Sequence, residues 1–180
     1  MASTGEVAAF GKDVYEAYWA SLLSTTGFKV PRAGSGVLIG GDINKPEMAR
    51  IAKQLTDLGF KLYCSSPVVE EHLNSFPYVS VKKIFFPTDK RKLREVFDEY
   101  EIQSVINLAK SRATTFTDED YVARRNAVDF GLPLLNEART AELWVEALAR
   151  KIPQGALKGY QEERMPSEVR SWSEFVGHRA

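Results

Sequence analysis

Five polar side chains of this 180-residue chain stand where a small molecule could bind. Asn107 ends the apolar run Val105-Ile106, which we interpret as a buried strand, and the others follow further apolar runs or open a predicted helix. The carboxyl ends of parallel strands meet at one edge of an open sheet, where ligands bind. Lysines beside free N–H groups at helix N-termini favour an anionic ligand. The predicted site consists of Lys45, Ser65, Ser66, Lys83 and Asn107.

Each of these residues also fits an ordinary structural role. Lys45 is typical of a solvated surface lysine, and the two serines are typical of a helix cap. On a strand, Lys82 and Lys83 point to opposite faces, so at most one of them serves a site. Asn107 is the strongest single candidate, because a polar residue that ends a buried strand needs a hydrogen-bond partner.

Charged residues near the predicted site favour different outcomes. Glu70 and Glu71 lie in or near the first turn of the helix that would receive a phosphate, and they would repel it. Arg124 and Arg125 are adjacent on a predicted helix. They could form ion pairs with acidic residues nearby on the surface, or they could anchor an interface.

The sequence predicts no catalytic residues and no metal site. His72 and His178 are the only histidines and Cys64 is the only cysteine, so no zinc-type spacing exists. No nucleophile elbow, Walker lysine loop or dinucleotide-binding glycine fingerprint is present. The glycines of Gly34-Ser-Gly36 precede the first predicted strand, and we interpret them as a linker.

Composition is typical of a soluble globular protein, with 44% hydrophobic and 27% charged residues. Lys+Arg and Asp+Glu both number 24, so the basic excess of a nucleic-acid-binding protein is missing. No apolar run approaches the ~20 residues of a transmembrane helix. A single cysteine excludes an intrachain disulfide and favours a reducing compartment. We therefore expect an intracellular protein with neither nucleic acid nor membrane as partner.

Residues 37–149 alternate strand-like and helix-like patterns, which predicts an α/β fold with an open five-stranded parallel sheet flanked by helices. Asn44 with Glu47 three residues later predicts a capping box at the first helix of this region. Ser66-Pro67 predicts the start of the next helix, and another begins near Asp89. The predicted strands are Val37–Ile39, Phe60–Cys64, Tyr78–Ile84, Ile102–Asn107 and Leu132–Leu135. The closing helix spans roughly Ala138–Arg150, with a predicted buried face of Leu143, Trp144, Ala147 and Leu148.

The flanks differ from this central region. Residues 1–36 hold an amphipathic piece, Val14–Leu23, and a Gly/Ser/Pro-rich link. Residues 151–180 hold two prolines, mixed charges and the aromatic pair Trp172 and Phe175. We expect both flanks to pack on something else or to be mobile.

The order of elements, with Ile106-Asn107, the pair Arg124-Arg125 and Pro133–Leu135, resembles the methylglyoxal-synthase-like domain family. More narrowly, it resembles the C-terminal regulatory domain of the carbamoyl-phosphate synthase large subunit. The segment Met1–Val7 is similar to the end of that enzyme's second ATP-using synthetic domain. The tail segment Pro166–Trp172 is similar to the arginine-pathway form of lower eukaryotes.

This resemblance implies a methylglyoxal-synthase-like sheet of the flavodoxin/Rossmann type and a division into three parts. Residues 1–36 would end the preceding synthetic domain, residues 37–150 would form the regulatory domain, and residues 151–180 would be a tail. Family members bind effectors at the sheet edge: nucleotides in bacterial forms and acetylglutamate in the urea-cycle form. Lys45, Ser65, Lys83 and Asn107 match family effector-contact positions.

The parent enzyme that the resemblance implies is a ligase. It makes carbamoyl phosphate from ATP, bicarbonate and glutamine-derived ammonia, and works with a glutaminase subunit or domain. ATP and Mg, Mn or K ions would belong to the parent, and no cofactor is expected in this chain. The upstream domains of the same polypeptide would be partners, and the compartment would be the cytoplasm or the mitochondrial matrix.

Departures from the family pattern lead to two further hypotheses. Ser65-Ser66-Pro67-Val68 stands where a bacterial relative carries a threonine-histidine-glycine-threonine run for phosphate. A proline removes a donor N–H, and Val68 removes a hydroxyl. Leu108 and Ala109 likewise stand where hydroxyl residues follow the asparagine. An effector site that is weakened, or a domain kept only for assembly, is expected. The alternative is a free-standing methylglyoxal synthase acting on dihydroxyacetone phosphate, which the altered phosphate loop disfavours.

Overall fold

A computed structural model describes residues 5–25, 28–108 and 119–151. Within these ranges the chain forms one all-parallel sheet of five strands in the order β3-β2-β1-β4-β5. This order matches the first five strands of the Rossmann arrangement, and the predicted open parallel sheet flanked by helices is confirmed. The strands are β1 (Gly36–Gly41), β2 (Lys61–Cys64), β3 (Val81–Lys83), β4 (Ile102–Leu108) and β5 (Leu134–Leu135).

Six helices accompany the sheet in the described residues. Parallel neighbours need crossover connections, and α2 to α5 supply them in turn. The helices are α1 (Val14–Leu23), α2 (Pro46–Asp57), α3 (Pro67–Asn74), α4 (Lys90–Glu99), α5 (Glu119–Asp129) and α6 (Ala138–Lys151). None of them is long and apolar enough to cross a membrane.

The strand order reverses direction between β1 and β4. Successive crossovers lead outward from β1 to β3, after which α4 carries the chain back across the sheet to β4 on the other side of β1. The two strands run in register to their carboxyl ends, where Gly40 pairs with Asn107 and Gly41 with Leu108. A crevice at the carboxyl edge is expected at this switch point.

Helices cover the two faces of the sheet unequally. Alternate residues of a strand point to opposite faces, so Ile39 joins the larger core while Leu38 joins the smaller one. The larger core takes its buried side chains from α1, α2, α3 and α6, and the smaller takes them from α4 and α5. The carboxyl edge therefore borders the larger core on one face of the sheet and the smaller core on the other.

The first helix belongs to this fold. Asp13 caps α1 by accepting a hydrogen bond from the Glu16 N–H at 2.9 Å, and Trp19 is fully buried in the larger core. The helix predicted over Val14–Leu23 is thus present, and it packs against α6. The predicted boundary between residues 36 and 37 stays a prediction. Of the predicted tail, only Lys151 lies in the described residues.

Four local predictions are wrong. Lys45, not Asn44, is the N-cap of α2, because Pro46 occupies the first helical turn and the Asp42 carboxylate accepts from the Asn44 N–H at 3.2 Å. The third and fifth strands are shorter than predicted, at three and two residues. Leu143 is only partly buried on α6, whereas Trp144, Ala147 and Leu148, the other three residues of its predicted face, are buried.

Candidate functional site at the carboxyl edge of the sheet

Two glycines bring the backbones of β1 and β4 together at the carboxyl edge. Gly41 has a φ of +93°, and a Cβ at this position would collide with the backbone of Leu108. A Cβ on Gly40 would lie 3.2 Å from Asn107 Nδ2 and 3.4 Å from Asp120 Oδ1. The end of β1 thus contributes backbone alone, and its neighbours supply the side chains of the edge.

Asn107 forms a bridge between β4 and α5. Its side chain is 2% exposed, and its Nδ2–H donates to Asp120 Oδ1 at 2.8 Å. Arg124 Nη1 donates to Asn107 Oδ1 at 2.6 Å. Because both ends of the amide are engaged, the hydrogen-bond partners that a buried asparagine requires come from α5.

Arg125, next to Arg124, has a different role. Its guanidinium lies 3.0 Å from Asp129 one turn later on α5, and Lys90 at the start of α4 lies 2.7 Å from the other oxygen of Asp129. These cations, Lys90 first, lower the pKa of the Asp129 carboxyl. Arg124 is therefore part of the carboxyl edge, whereas Arg125 pairs within α5 with Asp129, the carboxylate that Lys90 of α4 also contacts.

Lys45 lies at the edge, beside the start of α6. It is half-buried as the N-cap of α2, and its charge is one of the groups that lower the pKa of Glu137. The backbone N–H groups of Thr140 and Arg139 make the larger contributions to that shift, and the Thr140 N–H lies 2.8 Å from Glu137 Oε2. Glu137 thus caps α6 and also gives Lys45 an anionic neighbour.

Ser65 and Ser66 connect the end of β2 to α3. Ser66 is the N-cap of α3 by position, but its side chain makes no capping hydrogen bond, and Pro67 follows at the first helical position. The Cys64 thiol donates to the Ser66 carbonyl at 3.3 Å. Burial, followed by the charge of Glu70, raises the pKa of Cys64 to about 11, so this thiol stays protonated.

Lys83 ends the edge strand β3 and is exposed. Its backbone N–H donates to Glu70 Oε1 at 2.8 Å. The carboxylate predicted to oppose phosphate binding is therefore held at the end of β3 by a backbone donor. This contact places a negative charge between α3 and Lys83.

The predicted site residues thus share one edge but not one face. Lys45 and the serines stand at the starts of α2 and α3, which cover the larger core, whereas the Asn107 side chain turns to α5 on the other face. Residue-by-residue prediction missed Asp120 and Glu137. Their positions in the first turns of helices that follow strand ends were the signal that could have identified them.

Among residues 5–25, 28–108 and 119–151, no cluster of three or more His, Cys, Asp or Glu side chains could hold a metal ion. The charged groups at the edge stand in pairs of opposite sign. Such an arrangement can bind a small charged molecule by exchanging one partner for another.

No protein-family model matches the chain. It is 58% identical over 181 residues to the carbamoyl phosphate synthase arginine-specific large chain of Cutaneotrichosporon cutaneum, with 100% of this chain and 15% of that one covered. It is 50% identical over 180 residues to the mitochondrial arginine-specific large chain of Neurospora crassa, with 98% and 15% covered.

The matched part is the C-terminal end of these large chains, so the chain spans about 15% of the length of the curated relatives it matches. Among solved structures, the methylglyoxal synthase of Elizabethkingia anophelis NUHP1 superposes with a TM-score of 0.47 and 16% identity. That superposition covers 64% of this chain and 79% of the other.

Proposed function

Because the chain belongs to the carbamoyl phosphate synthase large-chain family, as its C-terminal part, we propose that it is a non-catalytic regulatory domain of an arginine-specific enzyme. The parent would join ATP, bicarbonate and glutamine-derived ammonia into carbamoyl phosphate, with Mg, Mn or K ions and a glutaminase partner. Its compartment would be the cytoplasm or the mitochondrial matrix. All chemistry would take place in domains upstream of this one.

We further propose that the carboxyl edge binds a small anionic effector weakly. One observation carries this proposal: each cation of the predicted site already has an acidic neighbour. Lys45 lies beside Glu137, and Glu70 is held at Lys83 by the backbone N–H of that residue. An incoming anion must displace or reorient these carboxylates, so a part of its binding free energy is spent on doing so.

Regulation would proceed by a shift between two states, which differ in how this domain docks against the upstream synthetic domain. An effector changes such an equilibrium only by the difference of its affinities for the two states. α5 is the element that would move, because Asn107 holds it to β4 through two side-chain hydrogen bonds. A ligand that takes over either end of the Asn107 amide would release one of them.

An amide NMR titration of this chain tests effector binding. UMP, IMP, ornithine, arginine and acetylglutamate would be added to saturation in separate series. We expect saturable, low-affinity shifts around Lys45, Ser65, Lys83 and Asn107 for at least one anion, and their loss in Lys45→Gln. Lys61→Gln is the matched control, because Lys61 is exposed and begins β2 at the opposite edge of the sheet.

Two outcomes would contradict the proposal. A well-dispersed spectrum without shifts for any ligand would exclude the effector site and leave a domain kept for assembly. Turnover of dihydroxyacetone phosphate by the purified chain would exclude a non-catalytic role and favour a methylglyoxal synthase. In the full-length parent, deletion of this domain is expected to abolish the effector response while the upstream catalytic residues stay in place.

A further inference from the structure

A cleft on the helical side of the molecule is lined by residues other than those of the predicted carboxyl-edge site. It is bounded by α1, α2 and α6 and has a volume of about 350 Å³, at the low end of the ~300–1,000 Å³ of small-molecule pockets. Ile51, Leu143 and the ring of Tyr15 provide its apolar lining. Its polar lining includes Arg50, whose guanidinium lies 2.7 Å from Glu142.

The cleft reaches the point where the described chain ends. Tyr15, one of its lining residues, lies under the guanidinium of Arg150 at 3.9 Å from ring centroid to Cζ. Arg150 is the penultimate residue of α6, after which the chain continues into residues 152–180. Whatever follows Lys151 therefore starts beside the cleft.

The sequence of the tail complements this surface. Val169, Trp172 and Val176 recur at spacings of three and four residues, the pattern by which a peptide lays one apolar face into a groove. Charges of both signs accompany them, from Glu168, Arg170 and Glu174. The cleft also carries both signs: Arg50 and Arg139 lie 2.7 and 3.4 Å from Glu142, and Glu146 is a further lining residue.

We propose that the cleft between α1, α2 and α6 is the docking site of residues 168–176 of the same chain. The Trp172 ring would occupy the apolar lining, and the charged residues of the segment, which have both signs, would lie against the mixed charges around it. In the 58% identical relative the match covers 100% of this chain, so the tail has a counterpart there.

Chain length permits this return. Residues 152–167 are sixteen residues and can span roughly 50 Å when extended. Leu143 precedes Lys151 by eight residues of α6, a rise of about 12 Å. The connecting segment is therefore several times longer than the path that it must cover, and the entropic cost of closing such a loop grows only slowly with its length.

Paramagnetic NMR on the full chain tests the docking. A nitroxide would be attached at Ser173→Cys. Cys64 is buried, and its pKa is raised to about 11, so labelling near neutral pH selects the introduced thiol. We expect the amide signals of Ile51, Gln54 and Leu143 to lose intensity, and to recover when Trp172→Ala is added. Ser171→Ala in the labelled chain is the matched control and should leave the broadening in place.

Three outcomes would overturn the proposal. Undiminished cleft signals would show that the tail does not dock, and broadening centred on another surface would place it elsewhere. Broadening of an unlabelled, isotope-enriched chain mixed with labelled chain would assign the cleft to a second copy. A separate variant, Leu143→Asp, should abolish the intramolecular effect, whereas Thr140→Asp, exposed on the same helix, should retain it.

Discussion

The side chain of Asn74 pairs with both backbone groups of Val81 on the edge strand. Its Nδ2–H donates to the Val81 carbonyl at 2.9 Å, and its Oδ1 accepts from the Val81 N–H at 2.8 Å. Two residues on, the Lys83 N–H is satisfied by Glu70 in the same way. An unpaired strand edge is a template for pairing with another chain. Side chains of α3 therefore occupy backbone groups of β3 that β2 leaves free.

Replacing Asn74 should weaken the edge of the sheet. Asn74→Ala removes two hydrogen bonds at an exposed position, and we expect a loss of about 1 kcal/mol in the free energy of unfolding. Asn74→Asp keeps an acceptor for the Val81 N–H and should fall between Asn74→Ala and wild type. Urea unfolding followed by circular dichroism measures both, with Glu71→Ala on the same helix as control.

Asn74→Ala should also self-associate more readily than the wild-type chain, because it leaves backbone groups of the edge strand β3 unpaired. Light scattering at matched concentrations is expected to rise for Asn74→Ala and not for Glu71→Ala. If Asn74→Ala unfolds and scatters like wild type, the pairing with Val81 has no protective role.

Asn107→Asp should make stability depend on pH. The new carboxylate would face Asp120 in place of a 2.8 Å donor contact, and we expect a loss of about 2 kcal/mol near pH 7. Like charges raise the pKa of one carboxyl in the folded state above its unfolded value of ~3.9. The folded variant then binds a proton that the unfolded chain does not, so its deficit shrinks as pH falls through the raised pKa.

Chemical denaturation at several pH values between neutral and acidic measures this trend. Asn107→Asp/Asp120→Asn restores one amide and one carboxylate, and it should recover part of the lost stability and flatten the pH dependence. A constant deficit of Asn107→Asp at all pH values would show that Asp120 does not sense the substituted group.

The Cys64 thiol should be slow to react in the native chain. Burial, then the charge of Glu70, raises its pKa from 9.0 to about 11, which lowers the thiolate fraction near neutral pH by about 100-fold. We expect alkylation to be suppressed by at least that factor against Ser75→Cys in a Cys64→Ala background, because Ser75 is exposed. Mass spectrometry over time measures both, and equal rates would contradict the buried placement.

Trp19 should contribute strongly to stability although it lies outside the predicted regulatory domain. It is fully buried between α1 and the larger core, and Trp19→Ala should cost about 3–5 kcal/mol. Its Nε1–H meets no acceptor among the described residues, so Trp19→Phe should cost less. Val14→Ala, at a residue that is 59% exposed, is the control. If the Trp19→Ala variant were as stable as wild type, the packing of α1 would not contribute to the stability of the fold.

Much of the fold was predictable from the sequence, because apolar runs of different period marked strands and helices between residues 37 and 149. On the first helix of this region, Met48, Ile51, Ala52, Leu55 and Leu58 follow spacings of three and four residues, the pattern of one helix face, and all five are buried. The cap at Asn44 failed for a local reason, since Pro46 fixes the helix start one residue later. The lengths of β3 and β5 depend on how many of their residues pair with β2 and β4. A local sequence pattern does not contain that information.

The candidate site was less predictable. The sequence placed Asn107 at a strand end and required a partner for it, but the identity of that partner depends on the rotation of α5 about its own axis. Adjacent residues such as Arg124 and Arg125 point in directions ~100° apart on a helix. Only packing against the smaller core determines which of the two reaches Asn107.

The glycine pair at the end of β1 limits how this domain can change over evolutionary time. Since Gly41 admits no side chain against Leu108, recognition at the central strand cannot be altered by ordinary point substitution there. New binding preferences have to arise in the surrounding helix starts and connecting segments. The backbone at the end of β1 therefore stays the same, and only the side chains around it can change what the edge binds.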